Sequence, residues 1–145
     1  MSNRILSYRG LLADGGQDTI LLSTKKGEKG YRIIKLELFP NEPGQQGMSN
    51  TVKIYKVFQS AINNTVDFSD NRLLAAAYYQ EDANPAYPSA LDVVFDQEIF
   101  NQDIYVTNRD TDGDRNVNYY IELEQVPLTE DQALVTIVKN LRNEQ

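Results

Sequence analysis

Apolar and polar residues alternate along most of this chain with the two-residue period of a half-buried strand. The run from Tyr31 to Phe39 (YRIIKLELF) places Ile34, Leu36 and Leu38 on one face and Lys35 and Glu37 on the other. Asn116 to Glu124 does the same, with Tyr119, Ile121 and Leu123 opposite Tyr120, Glu122 and Glu124. In Thr51 to Phe58 (TVKIYKVF), Val52 and Ile54 are expected to face inward and Lys53 and Tyr55 outward, with a shift at Val57 that suits a bulge. Asp18 to Thr24 sets Ile20, Leu22 and Thr24 on a common side. Shorter strands are expected at Ile5–Tyr8, Leu91–Phe95 and Asp103–Thr107. Leu73 to Tyr79 (LLAAAYY) is ambiguous, because its alanines favour helix while its brevity and aromatics favour strand; strand is preferred.

Turn residues punctuate these runs. Ala13-Asp14-Gly15-Gly16 breaks the first strand, and Lys25 to Gly30 reads as a hairpin between its neighbours. Phe68 to Asn71 is a turn by composition, and residues 40–50 and 81–89 are Pro-bearing loops. Short strands at this spacing, without regular helices between them, predict an all-β fold, an antiparallel β-sandwich of jelly-roll type. The C-terminus departs from the pattern. Thr129-Glu-Asp-Gln132 is a capping box, and Leu134, Ile137, Val138 and Leu141 recur at i, i+3, i+4 and i+7. One amphipathic helix is therefore expected at about 129–143. Its apolar stripe must cover the sandwich or a neighbouring subunit, which makes Leu134, Val138 and Leu141 candidate contact residues.

Composition narrows what such a fold can do. The 145 residues suit a single domain, 1–145, large enough for its own core. Lys+Arg 14 against Asp+Glu 21 gives a net charge of −7, a poor match to nucleic acid, whose phosphates require clustered cations. Cysteine and histidine are both absent, which removes thiolate chemistry, the usual general base near neutral pH and the commonest zinc ligands. No segment approaches the apolar length of a membrane span or a signal peptide, so a cytoplasmic site of synthesis and no membrane partner are expected. Non-enzymatic function is the expectation.

The aspartate cluster in "NRDTDGDRNVNYYIELE" (108–124) is the main candidate for chemistry. With Gly113 at position 6 of an EF-hand-like loop, Asn108, Asp110 and Asp112 fall at positions 1, 3 and 5, but position 12 is Tyr119 rather than a bidentate Glu. Asp110, Asp112 and Asp114 are nonetheless a candidate Ca²⁺ set in a loop of different geometry. The competing reading is a plain turn, since Asp-Gly between alternating strands is a strong hairpin signal. Glu122 and Glu124 share a strand face, which suits a wet surface better than the acid/base pair of a glycosidase. Asn63-Asn64-Thr65 is a sequon that reads as a turn in a chain without a secretion signal. Tyrosine is abundant, nine against no Trp, and its amphipathic ring suits interfaces and sugar stacking alike. Tyr78, Tyr79 and Tyr87 are candidate contact residues, Tyr87 standing between Pro85 and Pro88 in a stiff loop.

The stretches "RGLLADGGQDTILLSTKKGEKGYRIIKLELFP" and "NYYIELEQVPLTEDQALVTIVKNLRN" resemble small proteins of tailed bacteriophages, marine and cyanobacterial ones in particular. The resemblance covers both ends of the chain and much of the middle, and it brings no catalytic motif. It implies a virion protein present in many copies: a capsid decoration (cement) protein, or a tail or fibre component. The implied partners are the major capsid protein or other virion proteins, and further copies of the chain itself, with avidity supplied by multiplicity. The implied location is the virion, assembled in the host cytoplasm. A carbohydrate-binding, host-recognition module using Ca²⁺ at the aspartate loop is the alternative.

Overall fold

A computed structural model describes residues 4–22, 29–44, 47–81, 90–112 and 114–128. Eight strands make up its regular structure: β1 (Arg4–Leu12), β2 (Gln17–Ile20), β3 (Lys29–Pro40), β4 (Met48–Tyr55), β5 (Leu73–Glu81), β6 (Ala90–Phe95), β7 (Ile104–Asp110) and β8 (Val117–Pro127). They form two antiparallel sheets, one ordered β1-β8-β3 and the other β2-β7-β4-β5-β6. One core lies between them, because each sheet must bury an apolar face and the other sheet supplies the cover. Ile33, Leu36, Ile121 and Leu123 from the smaller sheet meet Val52, Ile54, Leu74, Ile104 and Val106 from the larger. Leu73–Glu81 is a strand, paired with β4 on one side and β6 on the other, and its Ala75 and Ala77 lie in the core. The fold is all-β, as the two-residue periodicity predicts. The C-terminal helix expected at about 129–143, with Leu134, Val138 and Leu141, lies outside the described residues, as does Tyr87.

Two expected hairpins are not hairpins. β2 pairs with β7 while β3 pairs with β8, so the segment around Lys25–Gly30 links different sheets. β7 and β8 are likewise in different sheets, and the aspartate loop carries the chain from one to the other. Turn composition reports that the chain reverses; it does not report which strand lies alongside afterwards.

β3 carries a bulge between Ile33 and Lys35 where it faces β8. Tyr31 and Ile33 therefore point inward with Leu36 and Leu38, while Ile34 and Lys35 both face solvent. The expected inward position of Ile34 is thus corrected: an extra residue in the ladder reverses the alternation at that point. At the other edge of the same sheet, Gly10 admits the ring of Tyr119, because a Cβ there would lie 2.8 Å from the tyrosine oxygen. Tyr119 then donates to Asp18 Oδ2 at 2.8 Å, a hydrogen bond that ties β8 to β2 across the two sheets.

β4 departs furthest from expectation. Lys53 and Tyr55 were expected on a wet face, yet Lys53 is 2% exposed and Tyr55 is buried. The segment 56–72 folds back over the outer face of the larger sheet and roofs it. Lys53 Nζ donates to Thr65 O at 2.6 Å and to Asn63 Oδ1 at 3.1 Å, with its ammonium over the Tyr55 ring. Lys56 pairs with Glu98 at 2.9 Å, Phe58 packs edge-on against Tyr105, and Gln17 and Gln59 exchange hydrogen bonds. Buried ammonium groups are tolerated when carbonyl and carboxylate oxygens replace their water, and here those partners also anchor the roof.

Candidate functional site

The aspartate loop sits where one end of the sandwich closes. Asp110 ends β7 with its side chain buried, and its carboxylate accepts three backbone N–H groups: from Ser49 (3.0 Å), Asp112 (2.9 Å) and Arg115 (2.6 Å). Its own N–H donates to Asp14 Oδ1 at 2.8 Å, and Asp14 also lies 3.6 Å from the Arg109 guanidinium. Behind it, Asn50 Nδ2 donates to Asn108 Oδ1 and to Arg115 O, while Asn108 Nδ2 donates to the carbonyls of Leu12 and Ala13. These side chains satisfy backbone groups that the crossing from sheet to sheet leaves without ladder partners.

Asp112 and Asp114 are exposed, and Asp114 has the left-handed φ of 55° that an aspartate tolerates in a tight bend. The structure does not gather Asp110, Asp112 and Asp114; among the described residues no three acidic side chains form a group able to hold a metal ion. The oxygens of Asp110 bind amides, which is the chemistry of a turn.

Two surfaces outside this plug offer contact chemistry. The first is the outer face of the smaller sheet, whose cross-strand rows follow from the register. Leu11, Asn118 and Phe39 form one row, then Arg9, Tyr120 and Glu37, then Ser7, Glu122 and Lys35, then Ile5, Glu124 and Arg32. Arg32 pairs with Glu124, and Lys35 lies over the Tyr120 ring. The Tyr120 hydroxyl donates to Glu122, which makes that proton harder to remove than in an ordinary tyrosine. Glu122 and Glu124 thus serve neighbouring side chains on a wet face. At the apolar end, Phe39 is 63% and Leu11 48% exposed beside a depression of about 500 Å³.

The second surface is the outer face of β4, β5 and β6 beside the roof. There Thr51, Tyr78 and Asp92 form one row, and Lys53, Ala76 and Val94 the next. Tyr78 is held by hydrogen bonds with Ser49 Oγ (2.9 Å) and Gln80 Oε1 (3.1 Å) and lines a depression of about 360 Å³. Tyr79 points to the other face, packed against the core. Burial and its hydrogen bond to Glu81 (3.0 Å) push its hydroxyl pKa above the ordinary value. The two neighbouring tyrosines therefore divide, as strand geometry requires: Tyr78 is available for contact and Tyr79 belongs to the core's edge. Phe68, which the sequence marks only as part of a turn, is 69% exposed at the lip of the roof. Its one sequence signal is a large aromatic set among turn residues, where packing does not require it.

No family model matches the chain, and no curated protein matches its sequence. Among solved structures, a chain from the three-dimensional structure of maize chlorotic mottle virus, revealed by single-particle analysis, is similar over 89% of this chain and 93% of that one. The identity is 8% and the TM-score 0.30, and a likeness at that score carries no argument about fold or role.

Proposed function

We propose that this protein is a structural component of a tailed-phage virion, a capsid decoration protein of jelly-roll type that binds the major capsid lattice and acts without catalysis. The observation that carries the reading is the open face of the smaller sheet. Phe39 and Leu11 stand exposed beside Tyr120, rimmed by Arg9 and Glu37. An apolar centre with a charged, solvated rim is the anatomy of a protein–protein contact, and aromatic anchors supply most of the energy of such contacts. The phage setting rests on the resemblance of both chain ends to tailed-phage proteins. The lack of histidine and cysteine agrees with a non-catalytic role. Copies of the chain arrayed on a lattice need only modest affinity each.

The test has two steps. Mass spectrometry of purified particles should find the chain in stoichiometric amounts, and its absence would end the proposal. Sedimentation with emptied capsids should then carry down the wild-type protein but not Phe39→Glu. Recovery with isolated tails instead would move the protein from capsid to tail.

A further inference from the structure

The second surface has a chemistry of its own that protein contact does not use. Phe68 and Val94 line two adjoining depressions, of about 360 and 310 Å³, and so form a ridge between them. Asp92, on the outward side of β6, lies in the first and Asp96, just past the end of that strand, in the second; both are exposed. The first is also lined by Ser49, Thr51, Asn64, Tyr78 and Thr111, a concentration of hydroxyl and amide groups. Among the described residues, no Lys or Arg lines either depression. Ala76, on the outward side of β5 between Lys53 and Val94, forms part of the first floor, and its small side chain leaves room that a larger one would fill.

We infer that this paired depression binds a neutral oligosaccharide, one pyranose ring in each half, with Phe68 as the shared stacking platform. A pyranose presents an apolar face of C–H groups and a rim of hydroxyls. The exposed Phe68 ring meets the first requirement. Asp92 with the hydroxyls and amide beside it in the first half, and Asp96 in the second half, meet the second requirement, since each can accept or donate in the plane of the sugar. The absence of cations disfavours phosphorylated or acidic glycans.

The site is held ready. The Tyr78 hydroxyl is fixed on both sides, and the turn bearing Phe68 is tied by Asp67 Oδ1, which accepts from Ser69 N (2.9 Å) and Ser69 Oγ (2.6 Å). Lys53 clamps the middle of the roof through Asn63 and Thr65, ahead of the Phe68 turn. Groups fixed before binding lose little freedom on contact. The size also fits: each half lies near the lower end of the range for ligand pockets, roughly 300–1,000 Å³. This inference does not depend on virion membership, and each can fail without the other.

The experiment is a titration of the ¹⁵N-labelled full chain, followed by amide shifts, with maltose, cellobiose, lactose and di-N-acetylchitobiose. Glycerol and trilysine serve as controls. At least one disaccharide is expected to shift Phe68, Tyr78, Asp92 and Val94 with a dissociation constant on the order of 1 mM or tighter. Phe68→Ala and Asp92→Asn, both at exposed positions, should weaken that binding by about tenfold or more while leaving the melting curve in place. Val94→Arg, which fills the ridge, should abolish it. The inference is overturned if no disaccharide shifts these residues, or if the shifts survive Phe68→Ala and Val94→Arg. It is equally overturned if glycerol reproduces the shifts, or if trilysine binds there and the sugars do not, which would make it a cationic-peptide site.

Discussion

β8 and β4 occupy comparable places, each paired on both sides within its sheet, yet their surroundings differ. β8 alternates between buried and half-buried residues from Val117 to Glu124, because one side faces the core and the other faces water. β4 is buried at all but one position, because one side faces the core and the other lies under the 56–72 roof. Alternating sequence is thus read correctly where a strand has one wet face. It misleads where a distant segment returns to cover that face, since the polar residues then remain but find protein partners instead of water. Lys53 is the clearest instance. The covered side keeps a polar residue whose ammonium is spent on holding its own cover.

The comparison can be broken or sharpened by measurement. The largest effect is expected from the β3 bulge: Ile33→Lys places an unpaired charge in the core and should cost about 4 kcal/mol or more. Ile34→Lys, one residue on, should stay within about 0.5 kcal/mol in chemical denaturation. Equal effects would remove the bulge. Next comes Asp110→Ala, which leaves three backbone donors without an acceptor. A loss of about 3 kcal/mol is expected, and a near-neutral result would show that the plug is dispensable.

Lys53→Met should cost about 1–3 kcal/mol. Its distinctive sign is local, with faster amide exchange across 59–70 and little change in β8; uniform acceleration would mean that the roof is no separate unit.

Acid should loosen the turn at the far end of the roof. Hydrogen bonds from Ser69 hold the Asp67 carboxyl below its ordinary pKa, and the Arg72 guanidinium does the same for Asp70. Both are depressed in the folded chain, so their contribution is present above about pH 4 and is lost as pH falls through the lower folded values. Amide exchange at Ser69 and Arg72 should rise there before that of β8. The alkaline side acts on the smaller sheet's link to β2. Burial and the Asp18 hydrogen bond raise Tyr119, so its contribution is intact below about pH 10 and fades as pH climbs beyond it. The smallest effect concerns the aspartate loop, where melting curves in EDTA and in excess calcium should coincide. A separation of several degrees would revive a calcium site.

Much of the fold was legible in the residues. Tyr119, Ile121 and Leu123 face inward as their period requires, and even the alanine-rich β5 is a strand. Strand pairing was not legible, because Lys25–Gly30 and Asp112-Gly113 carry the same turn chemistry whether the next strand joins its neighbour or crosses to the other sheet. Of the candidate contact residues, Tyr78 lies at a surface and Tyr79 at the core's edge. Phe68 gained meaning only when the roof brought it beside Val94 and Asp92.

Local alternation, turn composition and the missing histidine and cysteine follow from the chain itself, because they depend on each residue and its near neighbours. Which sheet a strand joins, which polar face is covered and which side chains meet at a surface depend on contacts between distant segments. Those contacts are chosen by the burial of whole faces against one another, and that choice exists only once the chain has folded.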